Sequence, residues 1–285
     1  MNNRSASMEQ YGTSYKRGTL FFPKALRKKV YILYAFVRVA DQLVDTPWVD
    51  KKSALKELTT MLHETEKAWQ WTSIHDELIT AFVSLAHEHN FERERIEAFF
   101  AAMRLDTEKS IYATYEELQI YMYGSAEVIW LMMTELIGYE GDKHIVYSLA
   151  KQLGEAMQYT NFLRDIAEDR TDHKRIYIPL ERLALYGLTY DDIKLFIEQK
   201  HGNEHWASFC KQEVKVTQQL YLDALGGVSF LDRQWRFAVR VAALLYAGIL
   251  WKIERHGYDQ FAHDVHTTKR EKFRFFLGAW KTYEK

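Results

Sequence analysis

The stretch QYTNFLRDIAEDRTDHKRIYIP, residues 158–179, decides the fold class, because its polar residues keep a helical beat. Gln158, Asn161, Asp165 and Asp169 follow at intervals of three, four and four, so a 3.6-residue repeat returns them to one face. Arg164 stands beside Asp165, and Lys174 and Arg175 follow the last turn. An earlier stretch, RVADQLVD (38–45), repeats the arrangement with Arg38, Asp41 and Asp45. Solvated ion pairs on a surface helix would show the same spacing. The company is unusual for plain solvent, however, because the apolar and aromatic run VYILYAFV (30–37) leads into it.

Working outward, the chain of 285 residues holds only three prolines, and long apolar patterns of helical period fill the space between them. A helix is expected from Pro23 to about Asp45, broken by DTPW, with others over 50–70, 73–89, 91–108, 115–138, 143–170, 189–200, 204–224, 230–257 and 267–280. The breaks are short and none is a Ser/Gly/Pro linker. The expectation is therefore one all-α domain spanning 1–285.

With 47% hydrophobic and 15% aromatic residues the chain has ample material for a large core. A net charge of −1 provides no basic field for nucleic acid. The single Cys210 excludes an internal disulfide and fits a reducing, cytoplasmic setting. No apolar signal segment opens the sequence, and FAVRVAALLYAGILW (237–251) is too short to span a bilayer and carries Arg240. Peripheral membrane contact stays open. His87 and His89, two residues apart, cannot share a helix face and read as surface residues rather than zinc ligands.

Two carboxylates one turn apart lie about 6 Å apart along the axis, a separation that bridging cations fill. Magnesium prefers carboxylate oxygens and takes its remaining ligands from water and phosphate. Two such pairs facing one another would form an acidic pocket suited to divalent cations and a diphosphate, with apolar walls for a carbocation.

The segments LYAFVRVADQLVD (33–45) and AMQYTNFLRDIAEDRTDHKRIYIP (156–179) resemble the two aspartate-rich signatures of the squalene/phytoene synthase family. YMYGSAEVIWLMM (121–133) resembles its central tyrosine signature, in the phytoene synthase version most closely, and IERHGYDQF (253–261) is a fainter echo. The resemblance implies an isoprenoid synthase helical bundle around a central cavity that joins two prenyl diphosphates head to head with magnesium, manganese being an alternative, and that needs no NADPH on the family's non-reductive branch. By resemblance Asp41, Asp45, Asp165 and Asp169 hold the metals, with Asn161 beside them. Tyr121 assists cyclopropane formation, while Ser14, Tyr34, Arg38, Gln158, Arg164, Arg175 and Tyr246 contact substrate. Read alone, Tyr121 could equally be a core aromatic, Ser14 a turn residue and Asn161 a buried amide.

The sequence departs from the family pattern at several points. Gln42 replaces an acidic residue, Gly12 stands where some members have serine, and Glu127 and Trp130 replace small residues in the central signature. Asp264 stands where many members carry arginine, and the loop RTDHKR is one residue longer than usual. With no dinucleotide fingerprint and no carboxyl-terminal anchor, the expected reaction is condensation of two C20 diphosphates to phytoene. The alternatives are C15 condensation to dehydrosqualene or squalene, and a non-catalytic assembly factor. The expected partners are prenyl diphosphates, with the oligomeric state, monomer or dimer, left open.

Overall fold

The structure, a computed structural model, describes residues 24–45 and 50–283, with side chains described to residue 277. Ser14, Gly12, Pro23 and residues 46–49 lie outside the described residues. Within them the chain is helical and holds no strand, only isolated bridges pairing Ile111 with Ile176 and Tyr139 with Leu231.

The elements in order are α1 (Lys24–Asp45), α2 (Lys51–Trp69), α3 (Glu77–Glu88), α4 (Arg93–Glu108), α5 (Tyr115–Met122) and a π-helical turn (Tyr123–Glu127). There follow α6 (Val128–Ile137), α7 (Lys143–Asp172), α8 (Leu180–Ala184), α9 (Tyr190–Gln199), α10 (Glu204–Gly226), a 3-10 turn (Gly227–Phe230), α11 (Arg233–Arg255) and α12 (Lys269–Tyr283). Polar caps set many starts: Asp142 accepts from His144 N and Ile145 N at the head of α7, and Thr189 with Asp192 forms a capping box on α9.

The 30-residue α7 runs through the middle, about 45 Å long. It packs against α10, α11, α6 and the π turn, while α1 closes the bundle against α2, α3 and α4. One contiguous apolar core extends from Leu26 to Val265. Around Phe36 it is aromatic: that ring stacks on Phe82 with centroids 3.6 Å apart and meets Phe100 edge-on at 5.9 Å.

Two features fix the backbone near the aspartates. At Gly124 a Cβ would lie 2.2 Å from Ala98 O, so the π turn presses on α4 as only glycine permits. After α7, Lys174 takes the left-handed conformation at φ 56°. Arg175 N then donates back to Asp169 O at 3.0 Å, which turns the Arg175 side chain inward while Lys174 stays exposed.

The expectation for the histidines needs correcting. His87 is half-buried, packed between Trp69 and Trp71, and His89 Nε2 lies 2.9 Å from Lys29 Nζ. Both serve packing rather than a bare surface.

Candidate active site

The two aspartate pairs come from different helices, Asp41 and Asp45 from the end of α1, Asp165 and Asp169 from the last turns of α7. Burial pushes the Asp41 carboxyl up to about 7, and the negative charge of Asp45 adds to the rise. Burial likewise pushes Asp169 up to about 8, with the charges of Asp165 and Asp45 adding to it. The charge of Asp45 reaches Asp169, so the two pairs lie within electrostatic range of one another.

Cations flank the carboxylates. Arg38 Nη1 donates to Asp41 Oδ2 at 2.5 Å at the exposed rim, and Arg164 grips Asp165 through two bonds of 2.6 and 2.5 Å. Arg175 is buried: Nη1 donates to Asp45 Oδ1 at 2.6 Å and Nη2 to Val44 O at 3.0 Å. Arg175 thus ties the segment after α7 to the end of α1. Tyr246 on α11 lies within electrostatic reach of both Tyr34 on α1 and Arg164 on α7. Asn161 Nδ2 donates to Gln158 Oε1 at 3.4 Å, leaving the buried Asn161 Oδ1 without a partner among the described residues.

The donor set fits a hard divalent cation. On the α7 side Asp165, Glu168 and His266 offer ligand atoms within 4.8 Å of one another, Asn161 Oδ1 is a spare amide oxygen, and the protonation that burial favours on Asp41 and Asp169 would be displaced by a cation offering the same charge relief.

Three further residues join the site that the sequence reading did not single out. Asp106 is buried, and its two oxygens accept from Tyr121 OH at 2.9 Å and Tyr177 OH at 2.8 Å. Burial pushes Asp106 up to about 7, against the pull of Arg175, whose Nη1 lies 3.7 Å away. The helical register contained the sign: Ile96, Phe99, Phe100, Met103, Asp106 and Thr107 recur on the buried face of α4. His266 is the third, its Nε2 3.6 Å from Asp165 Oδ1 and its Nδ1 2.8 Å from Asp264 Oδ1. The imidazole, rather than position 264, thus approaches the second pair from that loop.

The walls beside the aspartates are aromatic. Tyr121 stacks on Tyr177 at 5.2 Å, Tyr177 on Phe162 at 4.4 Å, and Tyr112 on Tyr177 at 5.9 Å. Farther along the bundle Trp130, with Leu149, Leu153, Val228 and Val239, lines an apolar cavity of only about 20 Å³.

Comparison with known proteins identifies the family and the fold. Residues 8–271 match the squalene/phytoene synthase profile, and the chain belongs to that family. It is 28% identical to the 15-cis-phytoene synthase of Synechocystis sp., over 95% of this chain and 81% of that protein. It is 31% identical to the chloroplastic phytoene synthase 2 of Zea mays over 92% of this chain, but spans only 65% of that protein. A dehydrosqualene synthase crystal structure superposes with a TM-score of 0.84 at 22% identity, covering 99% of this chain and 95% of that one. The squalene synthase HpnC of Alicyclobacillus acidocaldarius gives 0.78 at 24% identity over 90% of this chain and 95% of its own. These structures share the all-α isoprenoid synthase fold.

Proposed function

We propose that the protein is a prenyltransferase that condenses two geranylgeranyl diphosphates head to head to phytoene, within one domain. The observation that carries this reading is that Asp45 on α1 lies within electrostatic reach of Asp169 on α7 and is joined through Arg175 to the stacked rings of Tyr177, Tyr121 and Phe162. Likeness to phytoene synthases along most of the chain favours the C20 substrate.

Asp41, Asp45, Asp165 and Asp169 would hold magnesium or manganese, with Asn161 Oδ1 as a further ligand. When bound, such ions neutralise the charge that gathers on a departing diphosphate. Arg38 and Arg164, already oriented by their aspartates, donate to diphosphate oxygens, with Tyr34 and Tyr246 close by. Gln158 positions the Asn161 amide. Ionisation of one substrate leaves an allylic cation, which the rings of Phe162, Tyr121 and Tyr177 shield from water and stabilise by their π faces. The double bond of the second substrate captures it, and loss of a proton beside Tyr121 closes the cyclopropane. A second ionisation, rearrangement and proton loss give the hydrocarbon, which requires no hydride and so no NADPH. So apolar a product needs a lipid acceptor, so product release belongs at a bilayer surface, approached from the cytoplasm; among the described residues no helix is long and apolar enough to cross one.

A second reading, C15 condensation to dehydrosqualene or squalene, is favoured by Trp130. Its indole lines the narrow apolar cavity, and if a prenyl tail enters there it leaves room for the shorter one. Product analysis with magnesium, offering C15 and C20 diphosphates separately with and without NADPH, tests both readings. A C40 hydrocarbon indifferent to NADPH is expected. A C30 product would replace the first reading by the second, and no hydrocarbon from either would favour a non-catalytic role.

A further inference from the structure

A continuous hydrogen-bonded chain crosses the site from the first aspartate pair to Tyr121. Arg175 Nη1 donates to Asp45 Oδ1 at 2.6 Å and to the Tyr177 hydroxyl at 3.2 Å. A guanidinium only donates, so the Tyr177 oxygen is the acceptor there and its own proton goes to Asp106 Oδ1 at 2.8 Å. The second oxygen of Asp106 takes the Tyr121 proton at 2.9 Å. Three elements meet in this chain: α1 supplies Asp45, α4 supplies Asp106, and α5 supplies Tyr121, linked by the segment between α7 and α8. The isolated bridge of Ile111 to Ile176, with Ile176 N donating to Ser110 O at 2.9 Å, clamps that segment against the end of α4.

We infer that Asp106 is a positioning residue that fixes the Tyr121 hydroxyl as a donor toward itself, leaving the phenolic oxygen as an acceptor beside the reacting carbons. The inference rests on the proposed head-to-head reaction and assigns that site an additional member. Its physical basis is directional. A free phenol in an apolar cavity can turn its proton toward a cation, which repels it. A phenol whose proton is held by a buried carboxylate offers only lone pairs, so it attracts a passing carbocation and stands ready to take a proton. Because Arg175 is shared between Asp45 and Tyr177, the same chain couples the arrangement of the first aspartate pair to the orientation of Tyr121.

Asparagine at 106 keeps the shape but brings one N–H₂, so it can accept from only one of the two tyrosines. In Asp106→Asn the turnover to hydrocarbon should fall about 10- to 100-fold. KM for the prenyl diphosphate should stay within about twofold, and more diphosphate should be released per hydrocarbon, because escaped cations are captured by water as alcohols. Unchanged hydrocarbon yield per diphosphate in a folded Asp106→Asn protein overturns the inference.

A second measurement does not depend on that variant folding or on activity. The ultraviolet resonance Raman difference between wild type and Tyr121→Phe should carry the signature of a tyrosine donating to a carboxylate. A signature of an accepting or free tyrosine overturns the inference. If wild type yields no hydrocarbon from either substrate, the reaction proposed above fails, while the Raman difference still decides how Asp106 holds Tyr121.

Discussion

Arg164 grips Asp165 with both of its forward nitrogens, so that carboxylate is held in place before any ligand arrives. A neutral amide cannot keep the bidentate pairing or supply the charge a divalent cation requires. Asp165→Asn and Asp41→Asn are each expected to lower metal-dependent turnover by at least about 10²-fold, with helicity by circular dichroism unchanged. A parallel loss of helicity in both would instead assign these residues to folding. Trp130 acts by volume rather than charge. Removing its indole in Trp130→Gly opens the apolar cavity, and the ratio of C40 to C30 product in a mixed C20 and C15 assay should rise. An unchanged ratio would show that the indole does not limit the prenyl tail.

Among the elements, the π turn at Tyr123–Glu127 is the most exacting. It directly follows the helix that carries Tyr121, and it fits between α4 and α7 because Gly124 and Gly154 let backbones approach. A Cβ on Gly154 would come within 3.0 Å of Ala126 O. Gly124→Ala is expected to cost about 1–3 kcal/mol by overpacking, read as a lowered denaturation midpoint, because the atom it meets is a backbone oxygen that cannot rotate away. A midpoint equal to wild type would mean that α4 shifts freely. The sequence pattern over 115–138 reads as one continuous helix, since one extra residue in a turn leaves the apolar run unbroken. The five-residue α8 is likewise invisible, being too short to show a period. The long helices, by contrast, were legible to within a few residues, because their apolar stripes run for several turns. The aspartate pairs were legible for the same reason. Asp106 and His266 were not, since each acts through partners distant in sequence, Tyr177 and Asp165 respectively, that no local pattern connects.

At the scale of the whole molecule, concentrated acid in one pocket sets a dependence on pH. Between about pH 4 and pH 7–8 the folded protein keeps protons on Asp41 and Asp169 that the unfolded chain has lost. Stability of the metal-free protein therefore falls as pH rises through that window. Magnesium competes with those protons, so it should raise Tm more at pH 8 than at pH 6. Equal shifts at both values would contradict the acidic pocket as the binding site. Asp41→Asn should flatten the pH dependence of the metal-free protein, because one of the raised carboxyls is gone.

The central claim is that carboxylates from two distant helices act together as one metal and diphosphate site. It is tested most directly by titrating Mn2+ into the protein and following the free ion by electron paramagnetic resonance, with an unreactive prenyl diphosphate analogue present and absent. The account predicts binding that tightens with the analogue and weakens by about tenfold or more in both Asp41→Asn and Asp165→Asn. Binding unaffected by either change, or indifferent to the analogue, would contradict it.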